Sequence, residues 1–224
     1  METLKLEFEL LSAATFGRGD GLAGLVDREV EHDRYGLPFL RGRALRGLLA
    51  EEMEGLLYSL GLKDVPKWKE SRNRLLGVEG RFTNETGIMR VGDACLPPMM
   101  RHLLIASVEL DEKKRGKDKF APEQMLESLT AIRRQTAMSE RGAPEASSLR
   151  AMRVVLRGTI FQAELLFDCQ PEPIDKSLLA ATALAWRRAG TGRNRGRGKL
   201  RAWIENEDWM LEQFKLFQEE VKAK

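Results

Sequence analysis

The side chains best suited to chemistry in this sequence are its arginines, and their placement is uneven. From Arg187 to Arg201 the chain reads RRAGTGRNRGRGKLR, seven cations without an acid. A phosphate backbone responds to such a local field far more than to the formal net charge, here only +3. Gly190, Gly192, Gly196 and Gly198 alternate with Arg193, Arg195, Arg197 and Lys199. That spacing lets the backbone approach a ligand and expose its N–H groups while guanidinium forks reach phosphate oxygens. A solvated charged face is the plainer reading of any such run. Between Arg34 and Arg46 lie four arginines, again without an acid. Arg41, Arg43 and Arg46 fall where a helix begins, and N–H groups and the positive dipole end attract phosphate there. No Gly-Lys-Ser/Thr ending and no GxGxxG between strand and helix is present, so mononucleotide hydrolysis is disfavoured and extended nucleic acid favoured.

Other reactive side chains are few. Cys95 and Cys169 supply neither a disulfide framework nor a four-ligand zinc site, and both read as buried small apolar residues. His32 and His102 are the only histidines. His102 reads as a buried histidine opening an apolar strand, and no Ser-His-Asp set or carboxylate pair at i, i+4 can be assembled. A hydrophobic fraction of 42% excludes disorder throughout, and no apolar stretch approaches the length of a membrane span. The charged, alternating start METLKLEFELL is unlike a signal peptide, so a soluble cytoplasmic protein without a membrane partner is expected.

The elements that must hold these groups follow from periodicity. Thr3 to Leu11 alternates strictly, with Leu4, Leu6, Phe8 and Leu10 on one side, the period of a half-buried strand. Ser12 to Gly24 reads as a loop. Leu45, Leu48, Leu49, Met53, Leu56, Leu57 and Leu60 predict a helix from Arg43 to about Leu60, stopped at Gly61. Further helices are predicted over about 176–188, capped near Asp175, and about 206–221. The second of these is acidic. Strands are predicted over 88–94, 102–109, 153–156, 159–167 and 199–204. The polar segments 111–122 and 138–149 project between them. This order gives an α+β pattern consistent with a ferredoxin-like core carrying long insertions, and a single domain is expected over 1–224.

Four ordered blocks resemble the RAMP superfamily, and within it the backbone subunit of type III (Csm/Cmr-like) CRISPR effector complexes. GLVDREVEHDRYGLPFLRGRALRGLLAEE, from Gly24 to Glu52, resembles the block with an Asp-bearing loop before a Pro-x-x-x-Gly turn. LLGVEGRFTNETGIMRVGDACLPP resembles the next, with Gly77, Gly87, Asp93 and Ala94 in place. IRRQTAMSERGAPEASSLRAMRVVLRGTIFQAELLF resembles the segment carrying a thumb and then a Gly-x-x-Phe strand, Gly158 and Phe161. AGTGRNRGRGKLRAW resembles the glycine-rich loop near the family's C-terminus.

The resemblance implies an RNA-recognition-like fold that stacks with further copies of itself and other CRISPR effector subunits along a guide RNA. A thumb at about 133–150, with Met138 as wedge, would enter the guide–target duplex. It implies that Asp27 occupies the place of the aspartate that cuts target RNA, making the chain an endoribonuclease with Mg2+ or another divalent cation at Asp27. It implies guide contacts from Arg41, Gly42, Arg43, Arg46, Arg133, Gly190, Gly192, Arg193, Arg195, Arg197 and Lys199, gripping the backbone while base pairing reads sequence. Read without it, Asp27 caps a turn or pairs with Arg28 or Arg34. Asp20 joins Asp27 at a metal or belongs to a simple Arg-Gly-Asp-Gly turn. His32 shares the strand face of Val26 and Val30 and points away from Asp27. Three alternatives remain: a non-cleaving scaffold of the same complex, a guide-processing endonuclease of the same superfamily that would use a histidine, and an unrelated basic RNA-binding domain.

Overall fold

The strict alternation at the start forms β1, Thr3–Leu10, with Leu4, Leu6, Phe8 and Leu10 all buried. In the computed structural model the described residues are 2–22, 24–78, 87–113, 121–136 and 149–223, with backbone alone at 110–113. The helix after the basic turn is α1, Gly42–Ser59, which buries Leu45, Leu49, Met53 and Leu57 on one stripe and stops before Gly61. Then come α2 (Pro66–Leu76), β2 (Met89–Val91), α3 (Pro98–Lys113), α4 (Pro122–Leu129), β3 (Thr130–Gln135) and β4 (Arg150–Val155). The chain closes with β5 (Ile160–Phe167), α5 (Pro173–Ala185), β6 (Leu200–Ile204) and α6 (Glu207–Lys222).

The main sheet has the order β2-β5-β1-β6 and every pairing in it is antiparallel. With α1 between β1 and β2 and α5 between β5 and β6, this is the βαββαβ ferredoxin-like arrangement. The hairpin β3–β4 and helices α3 and α4 are inserted between β2 and β5, and α2 follows α1. Phe8 sits opposite Phe161 in register and its ring lies 5.2 Å from it and 5.0 Å from Trp186, so the helices close over one aromatic centre. The other face of the sheet carries Glu7, Glu9 and Glu164, with Lys5 and Arg201 paired to Glu7 and Glu9 at 3.4 Å and 3.0 Å. Its aromatic side chain Trp203 is held by Glu7 Oε2. On such a face charges are largely paired with one another and Trp203 is already engaged, so it offers bases no open stacking platform, unlike the sheet of an RNA-recognition motif.

Several expectations are corrected. The segment 102–109 is helix within α3, because Pro98 presets the first helical turn and Leu104, Ile105 and Val108 meet the core at helical spacing. His102 is therefore exposed on a helix, not buried in a strand. The predicted helix 176–188 is α5 shifted three residues earlier, with Pro173 at its first position. Asp175 stands on the third residue of that helix and accepts the backbone N–H of Glu172. Cys169 is exposed, whereas Cys95 is half-buried, which pushes its thiol pKa up. The insertion predicted over 111–122 begins as helix up to Lys113 and ends in α4, and residues 114–120 lie outside the described residues. So do Met138 and the rest of 137–148, whose ends are β3 and β4.

Candidate nucleic-acid interface

The arginine–glycine run is the tip of a hairpin. Beyond α5 the chain straightens, the Ala189 N–H donates to Gly198 O (2.9 Å) and the Leu200 N–H to Arg187 O (2.9 Å). A single 3-10 turn at Arg193–Arg195 lies between Gly192 and Gly196. The glycines serve this turn before they serve any ligand. Gly198 has φ +62°, and a Cβ there would run into the Ala189 carbonyl; at Gly190, φ +85°, it would meet Thr15 O at 2.6 Å.

Asp27 comes to the same place from the other end of the chain. Residues 17–22 pair back on 26–30, with Gly17 bridged to Val30 and Leu22 to Val26, and the returning strand lies along β4. The Asp27 N–H donates to Ala151 O (2.8 Å), and the Ala151 N–H donates to Asp27 Oδ2 (2.6 Å). Its other oxygen has no hydrogen-bond partner among the described residues. Asp27, Arg28, Gln135, Arg150, Met152 and the loop Gly190–Arg195 with Arg197 line one cavity of about 500 Å3. Five arginines and one carboxylate therefore line the same open space. A second cavity of about 380 Å3 adjoins it through Gly190, Thr191 and Arg193, and reaches Phe16, Phe39, Arg41 and the Ala44–Glu51 face of α1. Together they form a continuous depression in which arginines outnumber acids, a charge suited to a phosphate backbone.

The expected contacts divide within this groove. Arg195 is exposed with no side-chain partner among the described residues, and Arg197 reaches Gln135 Oε1 (3.1 Å) and Met152 Sδ. Arg193 instead grips Glu51 through both terminal nitrogens (2.6 and 2.9 Å), and that hydrogen bond holds its pKa above the usual value. Arg41 is likewise bound to Glu31 (2.6 Å), with its pKa raised by that bond. Gly42 is buried against the Val91 carbonyl and its N–H donates to Asp93 (2.7 Å), so the first N–H of α1 is taken by the protein itself. Arg46 donates to Leu76 O, away from the groove. Arg43 is exposed; Arg133 is exposed on β3 opposite Met152; Lys199 is exposed where β6 begins.

Asp20 is held by Arg18 (2.6 Å), which lowers its carboxyl pKa, and does not join Asp27. His32 makes its contact with Asp33 O (3.0 Å) and lines a different cavity. No group of three or more His, Cys, Asp or Glu among the described residues could hold a metal ion. Asp27 alone, with one oxygen already engaged, does not make a resident site; a divalent ion there would depend on water and substrate oxygens.

Sequence reasoning passed over Arg28, Gln135, Arg150, Asn194 and the acidic partners Glu31 and Glu51. One signal was available: Asp27, Glu29, Glu31 and Asp33 recur at period two. Three of them meet an arginine from a different element, Glu29 with Arg153 (2.8 Å), Glu31 with Arg41 and Asp33 with Arg101 (2.6 Å). Asp27 has no such partner among the described residues. A carboxylate left without a counterion beside a cationic groove is free to act on a substrate.

Comparison with known proteins agrees with this architecture. The sequence pattern of the RAMP superfamily matches residues 7–201. The chain belongs to the RAMP superfamily. No curated protein matches it in sequence. Among solved structures, this RAMP chain is similar to one in the cryo-EM structure of the type III-B Cmr-β bound to cognate target RNA. That likeness has a TM-score of 0.63 at 11% identity and covers 96% of this chain and 99% of the other. It is also similar to one in the apo state of type III-B Cmr-β, with TM-score 0.61 and 12% identity over 92% and 98% of the two chains. At such identities the likeness is one of fold. No helix among the described residues is long and apolar enough to cross a membrane.

Proposed function

We propose that this RAMP protein is a guide-RNA-binding backbone subunit of a type III CRISPR effector complex, and that it cuts target RNA at Asp27. The observation that carries the reading is the cavity that Asp27, lacking an arginine partner among the described residues, lines together with Arg28, Arg150, Arg195, Arg197 and the Glu51-bound Arg193. Fold similarity to chains of type III-B Cmr-β, in one structure a complex bound to cognate target RNA, supports the same assignment.

The chemistry asks little of the protein. The ribose 2′-oxygen attacks the adjacent phosphorus, its proton passes to a base, and the bond to the 5′-oxygen breaks as that oxygen takes up a proton. A 2′,3′-cyclic phosphate and a 5′-hydroxyl result. Aligning the attacking oxygen and stabilising charge on the phosphate supply most of the rate. Arg28, Arg150 and Arg195 suit the second task, and the Asp27 oxygen not held by Ala151 suits the first. Asp27 is the residue that would hold a divalent cation brought in by substrate oxygens, and such an ion would supply further charge stabilisation on the phosphate. His32 contacts Asp33 O and lines a cavity other than that of Asp27, which favours this reading over the histidine-dependent processing alternative.

The guide is gripped through its backbone, and sequence is left to base pairing. Guide RNA, target RNA, other effector subunits and further copies of this chain are the partners on this reading, in the cytoplasm. The test is to purify the chain with its neighbouring subunits and size the bound RNA. RNA of a defined length supports the assignment; RNA of random length or none refutes it.

A further inference from the structure

Glu29 and Arg153 form the one ion pair among the described residues with both side chains less than a tenth exposed, at 4% and 6%, with Nε 2.8 Å from Oε1. Both side chains carry further hydrogen bonds. Glu29 Oε1 also accepts the Val30 N–H (2.9 Å), Arg153 donates a second bond to Thr130 Oγ1 (3.2 Å), and the Arg153 carbonyl accepts from Thr15 Oγ1 (2.9 Å). Stability does not explain it, because apolar residues of similar volume in place of a buried ion pair are commonly neutral or stabilising.

Its position offers another explanation. Glu29 lies two residues after Asp27 on the strand that runs along β4, and Arg153 lies two residues after Ala151, the residue that holds the Asp27 carboxylate. Between the two side-chain contacts stands only the bond from the Arg153 N–H to Arg28 O (3.0 Å). The strand's other edge is tied to residues 16–20 by the bonds Glu29 N–H to Asp20 O (3.0 Å), Arg18 N–H to Glu29 O (3.2 Å) and Glu31 N–H to Phe16 O (2.7 Å). β4 itself holds it by two backbone bonds alone, so a slip of one residue against β4, which would turn every side chain to the opposite face, is resisted there mainly by side chains. Thr130, the third member, starts β3, so the same cluster joins the Asp27 strand to both strands whose far ends lead into residues 137–148.

We infer that Glu29 and Arg153 are positioning residues for Asp27: their buried pair locks the register of the 27–30 strand on β4 and so keeps the Asp27 carboxylate at the Ala151 N–H, facing the groove. This rests on the functional reading above, and its test separates the two. The double variant Glu29→Leu/Arg153→Met, which removes both charges and keeps the volume, is assembled into the full complex with guide RNA. Single-turnover cleavage of target RNA is measured at saturating target, together with target affinity and hydrogen exchange of the Asp27 and Ala151 amides.

The expected result is cleavage slowed about a hundredfold, as for a reacting group misplaced by an ångström, with guide content and target affinity unchanged. The two amides exchange at least about tenfold faster. Arg153→Lys, which keeps the charge and loses the fork, restores part of the rate, and it carries the same measurements should the double variant fail to assemble. Unchanged protection of both amides overturns the inference, as does full cleavage once their protection is lost. If the wild-type complex does not cut, the functional reading has failed, and amide exchange alone decides whether this pair holds the strand.

Discussion

Releasing Arg193 from Glu51 should tighten RNA binding by an amount the geometry bounds. The pair is bidentate but its side chains are 37% and 60% exposed, so it belongs with surface ion pairs worth about 0.2–1 kcal/mol. Phosphate must displace Glu51 before Arg193 can serve the groove. Glu51→Gln removes that competition, and the affinity gain is about 1.4- to 5-fold by the usual conversion. Fluorescence anisotropy with a single-stranded RNA of guide length, over a salt series, measures it. Because Glu51 also repels phosphate directly, the substitution must be repeated in an Arg193→Ala background, where the gain should shrink. The same gain in both backgrounds, or weaker binding in either, refutes the idea that Glu51 holds Arg193 in reserve.

Other outcomes follow from the same geometry. Arg195→Ala and Arg197→Ala should each reduce the salt dependence of RNA binding by about one phosphate equivalent, uniformly across RNA sequences, measured by the same anisotropy series. Arg74→Ala leaves Asp175, whose side chain is fully buried, without its ion partner at 2.8 Å, and should lower stability by about 3 kcal/mol in denaturant melts. Glu52 has its pKa raised, chiefly by burial and then by Glu51. The folded state therefore holds that proton more tightly than the unfolded chain, and the carboxylate costs stability once pH exceeds the raised value. Glu52→Gln should raise the melting temperature at neutral pH, with the gain vanishing below the ordinary carboxyl range.

How much of this was legible depended on the range of each signal. β1, α1 and α6 carry complete periodic patterns and stand close to where periodicity puts them. α2 was missed because it is largely polar, KWKESRNRLL after Pro66; its few inward residues Trp68, Ser71, Leu75 and Leu76 are outnumbered by charges. α3 was misread because a short apolar run satisfies either period, and only Pro98 argued for helix. In the groove, arginines and glycines stand out as a local run. Their acidic partners do not: Glu31 is 10 residues from Arg41, Asp93 is 51 from Gly42 and Glu51 is 142 from Arg193. Charge runs show where cations are, and only the fold shows which of them are already spoken for.

The central claim is tested most directly by Asp27→Asn in the assembled complex. Asparagine keeps the shape and can still accept the Ala151 N–H, while losing the charge. The account predicts single-turnover cleavage of target RNA slowed by about 10²- to 10⁴-fold with guide and target affinity unaltered. Cleavage at the wild-type rate would contradict it.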